Sequence, residues 1–292
     1  MVLLIVSCLL IVPTMLILDG CGMNPFNPPT ADWPEEPGTT STTTTSTTGT
    51  TTTGSNNNNS TTTTNPSSTG SSTSQSVNPS ASTTTGTIKK LVIPDKNEVI
   101  NFPDTLFIGD SRTVGLRDWV KIGGATFFCD VGLSSNNATT KAIKVPGVSD
   151  SITLPNLLAK KQFKTVYIML GINEIGGSLS GIAGKYQKII DLVQQKQPSA
   201  IVVVQSTLRV TAARHAKEIK KSGYFNNNRI NDLNVHLQGL TNGTTVHWLD
   251  MNPMFDDGTG NLAAEAAAGD GIHFQMKYYL IWRKYLDEHR VS

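Results

Sequence analysis

After residue 90 the chain alternates between short apolar runs and longer amphipathic stretches. The short runs predict five strands, over residues 104–108, 125–131, 165–170, 200–205 and 245–249. The longer stretches predict helices over residues 110–120, 180–195, 225–240 and 277–289. Short apolar strands that alternate with helices are typical of a parallel sheet with helices on both faces. Residues 91–292 are therefore predicted to form one three-layer α/β/α domain with a five-stranded parallel sheet.

The first residues of the chain have a different pattern, because residues 2–18 are almost wholly apolar. That run is marginal for a spanning helix, which needs roughly 20 residues. It ends in Leu-Asp-Gly-Cys at Cys21 and resembles a bacterial lipobox, with Leu three positions before the cysteine and a small residue directly before it. This resemblance predicts a signal peptide over residues 1–20 and a lipid on Cys21 that anchors the chain to the membrane. An uncleaved signal anchor is the alternative, and both place the rest of the chain outside the membrane.

Between the leader and the domain lies a segment made mainly of Thr and Ser. Residues 37–88 carry no charged side chain and very few apolar ones. Such a composition cannot bury enough apolar surface to offset its chain entropy. Residues 21–90 are therefore predicted to be a disordered tether that holds the domain away from the membrane.

Composition limits the kinds of protein this can be. Every Lys and Arg follows residue 88 and four of the 22 acidic residues precede it, so the domain carries 24 basic and 18 acidic groups, a balance of +6. The basic residues are scattered rather than clustered, which argues against nucleic-acid binding. About 200 residues suffice for one domain. A polytopic membrane protein is excluded, because the sequence has no second long apolar run. No zinc-ligand spacing, phosphate loop or dinucleotide fingerprint occurs, so no metal or organic cofactor is expected.

Of the three cysteines, only Cys129 lies in the predicted domain. A single thiol cannot form a disulfide within the domain, so stability must come from the core. Cys129 lies in an apolar run, which predicts a buried small hydrophobic residue rather than a nucleophile.

Four polar motifs lie where the chain leaves its predicted strands, the region in which parallel sheets bind ligands. A Gly-Asp-Ser motif ends at Ser111, and Gly132 follows the second strand. Asn173 follows the third strand, and Asp270 and His273 lie beyond the fifth. A serine hydroxyl becomes a good nucleophile when a histidine takes its proton and a carboxylate orients that histidine. The motifs therefore predict a nucleophilic serine site.

The order of these motifs resembles the SGNH (GDSL) hydrolase superfamily from about residue 100 to the end of the chain. The resemblance implies a flavodoxin-like fold, Ser111 as nucleophile, and Asp270 and His273 as the acid–base pair. It also implies an oxyanion hole formed by Ser111, Gly132 and Asn173. Members often have Asp after the Asn, where this chain has Glu174, a position that is not catalytic.

Structural interpretations of the same residues stay open. Asp110 can simply cap the helix that begins near Ser111. Gly132, Gly171 and Asn173 can be ordinary turn residues.

The expected function is an extracytoplasmic serine esterase that hydrolyses small acyl esters, such as acetyl esters, through an acyl-enzyme. Its substrate would be a small acyl ester or an acylated glycan of the envelope or of extracellular polysaccharide. A polysaccharide O-acetyltransferase with the same triad is the first alternative. An inactive, tethered binding module is the second.

Overall fold

The computed structural model describes residues 91–291. The predicted signal peptide, the predicted lipidation site at Cys21 and the predicted Thr/Ser-rich tether lie outside the described residues. No helix within residues 91–291 combines the length and apolar character needed to cross a membrane.

The strands, in chain order, are β1 (Ile100–Asn101), β2 (Thr105–Gly109), β3 (Ile122–Gly123), β4 (Thr126–Cys129), β5 (Thr165–Met169), β6 (Ile201–Gln205) and β7 (Val246–Leu249). Five of them form the central parallel sheet in the order β4-β2-β5-β6-β7. This order is the one found in flavodoxin-like folds. The predicted five-stranded parallel sheet is therefore confirmed. The short strands β1 and β3 form an additional parallel pair that the sequence pattern did not predict.

The helices are α1 (Ser111–Trp119), α2 (Leu154–Lys160), α3 (Leu179–Lys196), α4 (Ala212–Lys220), α5 (Asn227–Gln238) and α6 (Tyr279–Glu288). Short 3₁₀ turns occupy Asn252–Met254 and Met276–Tyr278. The four predicted helices correspond to α1, α3, α5 and α6, although the terminal helix begins with the second of these turns. Helices α2 and α4 were not predicted.

The central strands bury both of their faces, as the apolar runs require. Alternate side chains of β2 point in opposite directions, so Ile108 joins a core with α3 and α5, whereas Phe107 lies on the other face. There the Phe107 ring stacks on Phe127 and on Tyr167, with centroids 5.0 Å apart in each pair. Helices α1 and α6 pack together separately from α3 and α5. The domain is thus a three-layer α/β/α structure.

Cys129 ends strand β4 and is buried, with 2% of its surface exposed. Burial raises the pKa of its thiol to about 12, because a thiolate loses its hydration inside the protein. The prediction that Cys129 is a buried small hydrophobic residue is confirmed.

The segment before β1 is held by the terminal helix. Arg283 is fully buried and donates hydrogen bonds to the backbone carbonyls of Asp95 and Glu98. It also pairs with the Glu98 carboxylate at 3.0 Å. These contacts lie near the amino ends of the central strands, at the opposite edge from the predicted site.

Candidate active site

The nucleophile candidate lies in the tight turn between β2 and α1. A Cβ atom on Gly109 would lie 1.9 Å from Thr113 Oγ1 and 3.0 Å from the carbonyl oxygen of Met169, so only glycine fits at this point. Asp110 then caps the helix, because its Oδ1 accepts a hydrogen bond from the Arg112 N–H at 2.9 Å. The predicted capping role of Asp110 is confirmed. Ser111 follows as the first residue of α1.

The acid–base candidates lie in one short loop before α6. His273 Nδ1 lies 2.5 Å from Asp270 Oδ2. The other oxygen of Asp270 accepts hydrogen bonds from the N–H groups of Ile272 at 2.9 Å and His273 at 3.0 Å. Gly271 has a φ of +71° and its carbonyl accepts from the Thr211 N–H at 3.0 Å. The loop is therefore fixed both internally and by the segment after β6.

The structure brings the serine turn and the loop of Asp270 and His273 together. Ser111 Oγ lies 2.8 Å from His273 Nε2, although 162 positions separate the residues in the chain. Together with the contact to Asp270, this makes a continuous Ser–His–Asp relay. Ser111 is 6% exposed, and Asp270 is 41% exposed. Such a relay can move a proton from the hydroxyl to the imidazole.

The charge state of Asp270 suits this role. Burial raises the pKa of its carboxyl, but hydrogen bonds from the His273 ring and from the N–H groups of Ile272 and His273 outweigh that effect. The pKa of Asp270 therefore lies well below its ordinary value. Asp270 is ionised at neutral pH and can hold a proton on His273 Nδ1.

The predicted oxyanion donors lie beside the serine turn. Strand β4 pairs with β2, and the Asp130 N–H donates to the carbonyl of Gly109 at 3.3 Å. Gly132 follows with a φ of +75° and open space around its Cα. Asn173 Nδ2 donates to the Leu133 carbonyl at 2.9 Å, so Asn173 is joined to the loop that carries Gly132. The Ser111 N–H has no acceptor within its helix because it belongs to the first turn.

Glu174 is a site residue to which the sequence assigned no role. Its Oε1 accepts a hydrogen bond from the Ser135 N–H at 2.6 Å, across 39 positions of sequence. The side chain is buried. The only sequence signal was the departure from the Asp that often occupies this position in the SGNH superfamily.

Three asparagine side chains that the sequence did not single out hold the segment after β6. Asn234 binds both backbone groups of Thr207, and Asn227 binds both backbone groups of Val210. Asn252 accepts from the Arg209 N–H at 2.9 Å. This segment leads to Thr211, which holds the loop of Asp270 and His273. For Asn227 and Asn234 the available signal was the high density of asparagine between residues 226 and 234.

Within residues 91–291 no group of three or more His, Cys, Asp or Glu side chains is arranged to hold a metal ion. A parallel α/β sheet with a Ser–His–Asp relay at the carboxyl ends of its strands defines a serine hydrolase. The model of the GDSL-like lipase/acylhydrolase family matches residues 107–280. The chain belongs to this family and is a serine ester hydrolase.

Comparison with solved structures finds proteins of low sequence identity. One is a protein from Streptococcus pneumonia provisionally assigned as a platelet activating factor, with 20% identity, a TM-score of 0.47, and coverage of 64% of this chain and 83% of that chain. A GDSL-like lipase from Bacteroides thetaiotaomicron has 16% identity, a TM-score of 0.45 and coverage of 68% and 90%. A carbohydrate esterase of family 3 from Talaromyces cellulolyticus has 12% identity, a TM-score of 0.44 and coverage of 65% and 96%. No curated protein matches the chain.

Proposed function

We propose that this protein is an extracytoplasmic serine esterase that removes small acyl groups, acetyl among them, from envelope or extracellular polysaccharide. The observation that carries the proposal is the continuous relay from Asp270 through His273 to Ser111, with distances of 2.5 Å and 2.8 Å. Hydrolysis proceeds through an acyl-enzyme on Ser111 and requires no cofactor.

In the first half of the reaction Ser111 Oγ attacks the acyl carbon while its proton passes to His273 Nε2. The ionised Asp270 stabilises the imidazolium that forms. When the tetrahedral intermediate collapses, the ester C–O bond breaks and His273 gives its proton to the departing alcohol. The acyl group remains on Ser111.

In the second half water repeats the attack, with His273 again as the base. The bond between the acyl carbon and Ser111 breaks, the proton returns to Oγ, and the carboxylic acid leaves. Both intermediates place negative charge on the former carbonyl oxygen. The N–H groups of Ser111 and Gly132 and the amide of Asn173 are the proposed donors to that oxygen, and removal of one such donor typically lowers kcat by about 10²–10³-fold.

Two features of the sequence support the finer parts of the proposal. The resemblance to SGNH hydrolases supports a small acyl group. The apolar leader that ends at Cys21, followed by an uncharged Thr/Ser-rich segment, supports a tethered enzyme outside the membrane with a glycan substrate within reach.

The direct test is a panel assay of the purified protein on acetylated glycans and short-chain aryl esters. We expect release of acetate from at least one glycan and none from Ser111→Ala. Undiminished hydrolysis by Ser111→Ala would show that Ser111 is not the nucleophile. The same assay with added sugar acceptors separates the alternatives, because an O-acetyltransferase would pass the acyl group to a sugar hydroxyl rather than to water.

The anchor has its own test. If Cys21 is lipidated, the mature chain begins at Cys21 and partitions into detergent, and Cys21→Ser is released or mislocalised. Mass spectrometry that finds residues 1–20 intact on the mature protein would instead support the signal anchor.

A further inference from the structure

Two consecutive residues after β5 grip the loop after β4. Asn173 donates to the Leu133 carbonyl at 2.9 Å, and Glu174 accepts from the Ser135 N–H at 2.6 Å. The two contacts hold the peptide groups on either side of Ser134. The loop is thus fixed at two points by neighbouring side chains of a single turn.

Burying the Glu174 carboxylate destabilises the fold, so a residue that only filled space would not need this side chain. It is 7% exposed, and within the described part of the chain its Oε2 is buried without a hydrogen-bond partner. Burial raises the pKa of Glu174, the hydrogen bond from the Ser135 N–H offsets this only in part, and the nearby charge of Asp110 raises the pKa further. A buried oxygen without a donor destabilises the fold. An apolar side chain of similar size would avoid that cost.

The loop that Glu174 holds carries Gly132, one of the proposed oxyanion donors. Gly132 has no side chain and open space around its Cα, so its own packing does not fix its peptide plane. The plane is set by the turn on either side of it. That turn is closed by the hydrogen bond from the Leu133 N–H to the carbonyl of Asp130 at 3.1 Å, and its downstream end is held by Asn173 and Glu174.

We propose that Glu174 is a positioning residue that directs the Gly132 N–H toward the oxyanion by holding the Ser135 N–H. The inference rests on the proposed esterase function, since it concerns the transition state of that reaction. Glu174 itself is not proposed to touch the substrate. Its effect therefore appears in kcat, where charge develops on the acyl oxygen, and not in KM.

Two substitutions separate the hydrogen bond from the charge. In Glu174→Gln the amide oxygen can still accept from the Ser135 N–H, and the amide nitrogen replaces the unpartnered Oε2. In Glu174→Ala the acceptor is lost. Gln197 provides a matched control, because its buried Oε1 accepts from the Phe163 N–H at 2.8 Å at the opposite edge of the sheet. Gln197→Ala removes the same kind of contact far from the site.

The experiment measures kcat and KM on a short-chain aryl ester, with active enzyme counted by titration of Ser111 with a phosphonate. We expect Glu174→Ala to lower kcat by about 10–100-fold while KM changes by less than about threefold. Glu174→Gln should stay within about threefold of wild type. Gln197→Ala should lower Tm but keep the kcat of the wild type.

The proposal is overturned if Glu174→Ala keeps the wild-type kcat, if Glu174→Gln loses as much as Glu174→Ala, or if only KM changes. Should Glu174→Ala fail to fold, Glu174→Asp replaces it: the shorter carboxylate cannot keep the same contact with the Ser135 N–H, and an unchanged kcat would equally overturn the proposal. A wild type that hydrolyses no ester and does not react with the phosphonate would overturn the proposed function itself. If the wild type is active and Glu174→Ala has the same kcat, only the proposed role of Glu174 is overturned, and the proposed esterase function stands.

Discussion

The central sheet has a carboxyl edge, where its parallel strands end, and an amino edge, where they begin. The polar groups buried at these two edges are bonded differently. At the carboxyl edge the loops bury carboxylates, hydroxyls and amides, including Asp110, Ser134, Ser135, Glu174, Ser206, Thr207 and Asn252. Some of these atoms, such as Asp110 Oδ2 and Glu174 Oε2, have no hydrogen-bond partner within residues 91–291. At the amino edge the buried amide of Gln197 bonds through both its oxygen and its nitrogen to backbone groups of α2 and of the loop after it.

This difference suggests that the two edges of one sheet contribute differently to stability and to activity. Unpaired buried polar atoms destabilise a fold, whereas fully bonded ones join its loops together. The carboxyl edge therefore gives up some stability to arrange groups around Ser111. At the amino edge Arg283 leaves its Nε without a partner within residues 91–291, but its other nitrogens join α6 to the segment before β1. We expect substitutions at the carboxyl edge to change kcat more than stability, and those at the amino edge to do the reverse.

The largest effect is expected in the relay. Asp270→Asn removes the charge and can favour the wrong imidazole tautomer, so kcat should fall by up to about 10⁴-fold. His273→Ala should lose at least as much, and the double variant little more, because the two residues act as a unit. Ser134→Ala is the matched control, since Ser134 is a buried serine at the same edge whose hydroxyl contacts Asn137. If Asp270→Asn kept most of the activity, another acid would have to orient His273.

Arg283→Ala tests the amino edge. This substitution removes the fully buried guanidinium that binds Asp95 and Glu98, and we expect a loss of about 2 kcal/mol in the free energy of unfolding. The kcat of the folded protein should not change. Arg290→Ala is the control, because Arg290 binds the neighbouring Asn101 carbonyl at 2.6 Å but is partly exposed, and it should cost less than about 1 kcal/mol. A lower kcat in folded Arg283→Ala would contradict the expectation that the amino edge affects stability and not activity.

A pair of helical glycines tests the packing that brings α6 to the serine helix. A Cβ atom on Gly115 in α1 would lie 2.1 Å from the Tyr279 hydroxyl, whereas one on Gly184 in α3 would meet nothing within 4 Å. Gly115→Ala should therefore destabilise the protein by about 1–3 kcal/mol. Gly184→Ala should stabilise it by up to about 1 kcal/mol, because alanine favours a helix. Urea unfolding measures both, and equal effects would contradict the described contact of α1 with α6.

The smallest effect concerns pH. Folding lowers the pKa of Asp270, so its ionised form contributes stability that is present above its ordinary pKa of 3.8 and is lost as the pH falls through the folded value. The contribution is modest because the side chain is 41% exposed. In urea unfolding between pH 5 and about 3, the advantage of wild type over Asp270→Asn should shrink on acidification. An advantage that grows as the pH falls below about 4 would contradict the lowered pKa.

The fold was readable from the sequence because its strands are continuous apolar runs and its site lies where parallel strands end. Helix α2 was missed although Leu154, Leu157 and Leu158 have helical spacing and are all buried. Helix α4 gave no comparable signal, because its only buried residue is Glu218. Helix α4 instead has a Thr211 cap and an Arg214–Glu218 ion pair, which an apolar pattern does not describe.

Within the site, the sequence indicated the groups that are proposed to carry the chemistry but not the groups that position them. Asp270 and His273 lie three positions apart, so their partnership was visible. The contact of Glu174 with Ser135 spans 39 positions, and that of Asn252 with Arg209 spans 43. Such contacts are made only when the loops fold against one another, and their residue types alone do not indicate them.

Ser111, at the carboxyl edge of the sheet, is the proposed nucleophile. The most direct test of this role is to label the purified protein with a serine-directed phosphonate and to locate the adduct by peptide mass spectrometry. We predict one adduct, on Ser111, that His273→Ala prevents while Ser134→Ala does not. An adduct on Ser134 or Ser135, or labelling that is unchanged in Ser111→Ala, would show that Ser111 is not the nucleophile.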